Sequence, residues 1–243
     1  MRYFDRQGLA NTAWAFAALL IRDLPFFSAI APSTMLGAPE FEARHVSNIS
    51  WSFAKVKVED APLLDSIAGA ALKRMDTFNA QGLSSLSWAF AKLCYANAPL
   101  MSAISASALR SCSAFDPQGL ANMSWAFATV SILDMPLLNA ISASALPLSC
   151  QFQPLPLANL AWALASLHFT HVPLMQSLAS RACAMIHLFN SQMLANTAWA
   201  FAKVAFLDQP LREAIAAASL ARLPEADAQH ISNLAWSFAT LDV

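Results

Sequence analysis

The chain has 243 residues, of which 57% are hydrophobic and 12% are charged, and its formal net charge is −1. The high apolar content excludes an intrinsically disordered chain, and the neutral balance excludes a polybasic nucleic-acid-binding arm. The chain has only five glycines, too few for a protein built around a phosphate-binding loop. Its four cysteines form no C-x-x-C pair. This spacing excludes the usual zinc signatures and a disulfide framework, and it favours a reducing compartment.

No charged residue occurs between Asp134 and Arg181, so membrane insertion has to be considered. Five prolines divide this segment into pieces shorter than the ~20 apolar residues that a spanning helix needs. They are Pro136, Pro147, Pro154, Pro156 and Pro173. We therefore predict no membrane span.

Seven tryptophans recur every 37 residues, at Trp14, Trp51, Trp88, Trp125, Trp162, Trp199 and Trp236. A phenylalanine lies ten residues before each of the first six, and a proline lies eleven residues after each of them. Self-similarity without insertions is typical of solenoids, in which each repeat stacks on its neighbours. The sequence therefore predicts one repeat array over 1–243 and not a pair of globular domains.

Each period contains two helical patterns, which we call A and B. The A pattern opens at the repeated proline, and the B pattern follows an N-cap such as Asp116, with Asp5, Asn79, Asn190 and Asp227 at the equivalent positions. The chain begins with an orphan B helix in 1–24, and six A–B hairpins follow in 25–61, 62–98, 99–135, 136–172, 173–209 and 210–243. We predict an all-α fold, a right-handed α-solenoid of 37-residue two-helix repeats with about 13 helices. Pro32 and Gly37 predict that the first A helix is kinked or partly unwound.

The faces of the B helix follow from a rotation of about 100° per residue. The aliphatic residue five before each tryptophan and the residue two after it, which is phenylalanine except for Leu164, point to the core. Small residues, including an alanine three after each tryptophan, allow neighbouring B helices to approach closely, so we expect B to line the concave surface.

The remaining exposed strip of the B helix, which we call the amide ridge, carries three kinds of residue. Seven before tryptophan lie Gln7, Gln81, Gln118, Gln192 and Gln229. Three before it lie Asn11, Asn48, Asn122, Asn159, Asn196 and Asn233, with Ser85 as the exception. Four after it lies a variable position, which includes Lys55, Lys92, Thr129, Ser166, Lys203 and Thr240.

Two explanations of the amide ridge are open. The asparagines could form a structural ladder, each satisfying the backbone of a neighbouring repeat or the next asparagine. Alternatively, the ridge could follow a ligand chain, with a fixed residue that holds each unit and a variable one that selects it, as in helical-repeat RNA readers. For the tryptophans, packing at the seam between repeats is favoured over base stacking.

The phrases GLANMSWAFA at 119–128 and LANTAWAFAK at 194–203 resemble the octotricopeptide and the 37-residue heptatricopeptide repeats. This resemblance covers essentially the whole chain. It implies a helical-repeat protein that binds single-stranded RNA, mRNA or rRNA, in organellar RNA processing or in the ribosome, and therefore a mitochondrial or plastid location. Neither end of the array is strongly polar, so we expect a segment of a longer solenoid or protein partners at the apolar ends.

The charge distribution bears on whether the partner is RNA or another protein. Acidic residues concentrate at helix starts and basic residues late in helices, which matches the helix macrodipole without any ligand. Since only Lys55, Lys92 and Lys203 project from the amide ridge, we expect weak, salt-sensitive RNA binding. The rival hypothesis is a protein-interaction scaffold or structural subunit of an organellar complex. The five histidines are too scattered to hold one metal, and we expect neither catalytic activity nor a cofactor.

Overall fold

The computed structural model describes residues 5–241, so the first phenylalanine of the series, Phe4, lies outside the described residues. These residues form helices and turns without a strand, which confirms the predicted all-α repeat array. The B helices are α1 (Arg6–Ala18), α3 (Ala43–Lys55), α5 (Ala80–Lys92), α7 (Pro117–Thr129), α9 (Pro154–Ser166), α11 (Ser191–Lys203) and α13 (Ala228–Leu241). The A helices are α2 (Leu24–Gly37), α4 (Ala61–Leu72), α6 (Ala98–Ser111), α8 (Met135–Ala145), α10 (Val172–Ala184) and α12 (Gln209–Arg222).

The array divides into two compact units, with the boundary after Ala114. Unit 1 contains α1 to α6, and unit 2 contains α7 to α13. Within each unit, every B helix packs on the B helix of the next repeat, more extensively than the A helices pack on one another. Small residues explain this close approach: the alanine three after tryptophan is buried in the first six copies, at Ala17, Ala54, Ala91, Ala128, Ala165 and Ala202.

The helix starts are fixed by side-chain caps at the predicted positions. Asp116 accepts the backbone N–H of Gly119 at 2.7 Å, and Asp5, Asn79, Asn190 and Asp227 cap their helices in the same way at 2.6–2.9 Å. Every A helix has a corresponding cap two residues before its proline, at Asp23, Asp60, Asn97, Asp134, His171 and Asp208. Because an N-cap satisfies a backbone N–H that has no partner inside the helix, these residues set where each helix begins.

The ends of the B helices are fixed by the backbone instead. Six residues that follow B helices adopt the left-handed conformation, with φ between 51° and 57°: Leu20, Lys57, Cys94, Ser131, His168 and Ala205. The N–H of the next residue donates to a carbonyl five residues back, for example Ile132 to Phe127 at 2.9 Å. This pattern is the Schellman motif, which usually has glycine at the left-handed position. Here the position is periodic in structure but not in residue type.

The core of each repeat lies between its A and B helices. Phe53, Phe90, Phe127 and Phe201, together with Leu164 in α9, are at most 3% exposed. Five of the six repeated prolines are followed by a buried leucine, which packs on the A side of the core: Leu63, Leu100, Leu137, Leu174 and Leu211. These positions agree with the predicted inner face of the B helix.

The sequence predicts that α2 is kinked or partly unwound, and the structure excludes the unwinding. The helix runs without interruption from Leu24 to Gly37, with Pro32 inside it. Pro32 has no N–H to donate to the carbonyl of Ser28, and both residues are exposed, so water can take over that carbonyl. None of the described helices has the length and apolar character needed to cross a bilayer.

Candidate nucleic-acid interface

The tryptophans of successive repeats pack on one another. In unit 1 the ring centroids of Trp14 and Trp51 are 6.4 Å apart, with 30° between the planes. In unit 2 the rings of Trp162, Trp199 and Trp236 follow at 6.5 and 6.4 Å, tilted by 33° and 35°. We call these three rings the tryptophan column. The contacts agree with the interpretation that tryptophan covers the seam between repeats, since the ring faces are already engaged with each other.

The glutamines and asparagines of the amide ridge are accessible to solvent. The exposed members are Gln7, Gln81, Gln118, Gln192, Gln229 and Asn11, whereas Asn48, Ser85, Asn122, Asn159, Asn196 and Asn233 are half-buried. In the part of the chain that the structure describes, no hydrogen bond joins one ridge asparagine to the next, as an asparagine ladder would require. Gln118 donates through Nε2 to Asn122 Oδ1 of the same helix at 2.8 Å, one helical turn away. Within residues 5–241, the side chains of Asn48, Asn159 and Asn196 make no hydrogen bond, so their amide groups are available to a ligand.

At the variable position of the ridge, long and short side chains differ in their exposure to solvent. The lysines Lys55, Lys92 and Lys203 are exposed, and Lys55 Nζ lies 5.9 Å from the centroid of the Trp51 ring, in the range of a cation–π contact. The ammonium group therefore stays beside the seam and within reach of solvent.

The short residues at the same position do not present a hydroxyl group. The oxygens of Thr129 and Ser166 are buried without a hydrogen-bond partner, and the Thr240 hydroxyl donates to the carbonyl of Trp236 at 2.8 Å. A hydroxyl close to its own helix competes for backbone carbonyls, so these three residues contribute less polar surface to the ridge than the lysines do, and their selection of a ligand stays a prediction.

A groove in unit 1 adds residues that the sequence pattern missed. It lies between α3 and α5, has a volume of about 450 Å³, and is lined by Arg44, Asn48, Arg74, Gln81 and Ser85, among others. Arg44 stands seven residues before Trp51, where five other repeats have glutamine. The sequence shows this arginine as a deviation from the repeat, but only the structure shows that it lines a groove.

The remaining polar groups offer no metal chemistry in the described region. Within residues 5–241, no cluster of three or more His, Cys, Asp or Glu side chains is placed to hold a metal ion. His45 is buried, its Nδ1 accepts the backbone N–H of Glu42 at 3.3 Å, and its Nε2 has no partner. Burial lowers the pKa of His45 below 6.5, and the adjacent Arg44 guanidinium adds to this effect, so the ring is neutral at pH 7.

The site is thus a repeated, solvent-accessible strip of amide groups that carries a lysine in three repeats and lies beside stacked tryptophan rings. A comparison with curated proteins finds no match to this chain. The family model described as RNA-editing substrate-binding complex 6 protein matches residues 3–243 and therefore includes every helix of both units. Because the match extends over nearly the entire chain, the protein belongs to the RNA-editing substrate-binding complex 6 family.

Proposed function

We propose that this protein binds single-stranded RNA along the amide ridge, as a non-catalytic component of an RNA-editing complex. One observation carries the proposal: in a chain of an RNA-editing family, the ridge amides recur in the same register in both units and remain accessible. The family's association with RNA editing favours a mitochondrial location and gives no support to the plastid.

The chemistry of the ridge suits nucleobases. An amide side chain carries both donors and acceptors, so Gln and Asn can pair with the edges of unstacked bases. With one register position per repeat, seven B helices would hold up to about seven nucleotides if each repeat holds one base. The 37-residue step further supports the assignment of these repeats to the heptatricopeptide type, with single-stranded mRNA or rRNA as the bound molecule.

The cations of the ridge set how strongly salt affects binding. For single strands, each phosphate contact changes the slope of log K against log salt by about −0.7. Three lysines, Lys55, Lys92 and Lys203, therefore account for a slope of about −2 at most. This value is small for a nucleic-acid-binding protein and corresponds to weak binding by this part of the chain.

A second candidate function is that of a protein-interaction scaffold within the same complex. Its specific support is a set of exposed apolar side chains on α12 and α13 in unit 2, where Leu220 is 71% exposed, Ile231 45% and Trp236 43%. Apolar side chains are typical of protein interfaces where they form one contiguous patch. The net charge of −1 also suits a protein partner.

The test compares two pairs of lysines in unit 1 that carry the same charge and are all exposed. Lys55→Glu with Lys92→Glu changes the ridge, and Lys57→Glu with Lys73→Glu changes residues that follow the ends of α3 and α4 and hold no ridge position. We expect the ridge pair to abolish binding of a mixed-sequence 20-nucleotide RNA at low salt, whereas the control pair retains most of it, with unchanged helicity in both. Equal losses in the two pairs, or no binding by the wild-type protein, would contradict the proposal and favour the scaffold.

A further inference from the structure

The groove between α3 and α5 is the place where two departures from the ridge pattern meet. Arg44 on α3 replaces the glutamine that most repeats have seven residues before tryptophan. Ser85 on α5 replaces the asparagine that every other repeat has three residues before tryptophan. Both residues line the same groove of about 450 Å³, which has a volume within the range of small-ligand sites.

We propose that this groove is a nucleotide subsite that differs from the other ridge positions: it takes a base of single-stranded RNA against Ser85 and the adjoining phosphate at Arg44. The inference rests on the proposed function, because it assumes that an RNA strand follows the ridge. It adds a position at which a guanidinium group and the space beside a serine act together with the ridge amides.

The space for a base comes from Ser85, which is shorter than the asparagine that it replaces. Gly82, one turn earlier on the same helix, also lines the groove, and its missing side chain lets α3 and α5 approach each other. A Cβ at Gly82 would lie 3.1 Å from Ser47 Oγ and 3.2 Å from Phe78 Cδ1, so α3 and α5 pack closely at this point. The Ser47 hydroxyl reaches the Gly82 carbonyl at 3.3 Å, which ties the two helices together beside the opening.

The charge for a phosphate comes from Arg44. Its Nε pairs with the carboxylate of Glu42 at 2.9 Å, and both side chains are 62% exposed. Because a guanidinium has five N–H donors, this contact leaves the Nη edge able to bind two phosphate oxygens. Arg74 also lines the groove and donates to the carbonyl of Pro39, so it adds positive charge at a fixed position.

The polar side chains that line the groove can bind a base. Asn48 from α3 and Gln81 from α5 both line it, and both are accessible amides. The Asn79 side chain, which also lines it, is already engaged as the N-cap of α5 through the N–H of Gly82 at 2.8 Å. Asn48 and Gln81 are therefore the side chains that would read the base edge.

The test restores the repeat pattern in the groove. The variant Arg44→Gln with Ser85→Asn introduces only residues that other repeats already have at the same register, so we expect it to fold. We expect about a tenfold loss of affinity for single-stranded RNA, corresponding to one lost charge-assisted contact, and a salt slope smaller in magnitude by about 0.7. Arg110→Gln, on an exposed residue of α6, is the control with the same loss of charge.

A reciprocal variant tests whether the two residues suffice. Gln118→Arg with Asn159→Ser places the same pair on α7 and α9 of unit 2, and we expect it to raise the affinity and the salt slope. If the wild-type protein binds no RNA, the proposed function itself fails. If it binds and the restored variant behaves as wild type or as Arg110→Gln, the groove inference alone is overturned.

Discussion

Replacing Ser131 with glycine should stabilise unit 2. Ser131 follows α7 with a φ of 57°, in the left-handed region, and it is exposed. An L-residue pays roughly 1–2 kcal/mol to adopt this conformation, whereas glycine adopts it freely but loses about 0.5–1 kcal/mol more conformational entropy on folding. The difference predicts a gain of about 0.5–1 kcal/mol, which for a chain of this length corresponds to a rise in Tm of roughly 1–4 °C.

The assay is thermal and denaturant unfolding followed by circular dichroism. Ser131→Ala is the control, because alanine keeps the Cβ and therefore the backbone cost while removing the hydroxyl. Ala205→Gly, at the same register two repeats later with a φ of 51°, should give a similar gain, and the double variant should add the two. A loss of stability in Ser131→Gly, or an equal gain in Ser131→Ala, would refute the reasoning that the cost lies in the backbone.

Three further predictions concern the tryptophans, the caps and the buried histidine. Trp199→Ala removes two ring contacts and should cost about 2–4 kcal/mol, against a smaller loss for Trp14→Ala, which is 49% exposed; both are measured by denaturant unfolding. Asp116→Ala should cost about 1 kcal/mol, whereas Gln153→Ala should be nearly neutral, since Gln153 makes no cap bond. Below pH 6.5 the unfolded state protonates before buried His45, so the wild type should lose more stability between pH 7 and 5 than His45→Gln does; equal losses would contradict this assignment.

The helices could be predicted from the sequence because residue types that cap helices mark where most of them begin. An Asp or Asn cap followed by an apolar pattern of helical spacing recurs in register, and the structure places the caps and the buried phenylalanines where that pattern predicts. Helix α9 is the exception, because Gln153 occupies its N-cap position but makes no cap hydrogen bond. Pro156 occupies the third helical position of α9, where the other B helices offer an N–H, so a side chain at Gln153 has no such donor to accept from.

Other features depend on packing that a single periodic pattern does not contain. The left-handed residues vary from leucine to histidine, so their common backbone conformation leaves no trace in residue type. A helical wheel places Thr129 and Ser166 beside the ridge, but it does not show that their hydroxyl oxygens are buried. Arg44 and Ser85 are on different helices, and only the fold brings these two deviations into one groove.

The tryptophan column gives unit 2 an intrinsic spectroscopic probe of the spacing between its repeats. Three indoles at 6.4–6.5 Å are close enough for their excited states to couple, so their near-ultraviolet circular dichroism and fluorescence depend on the spacing and tilt of consecutive repeats. Any occupant that stretches or tightens this unit would alter those signals without an attached dye. The same rings that cover the seam thus report, in solution, whether the spacing between the repeats of unit 2 has changed.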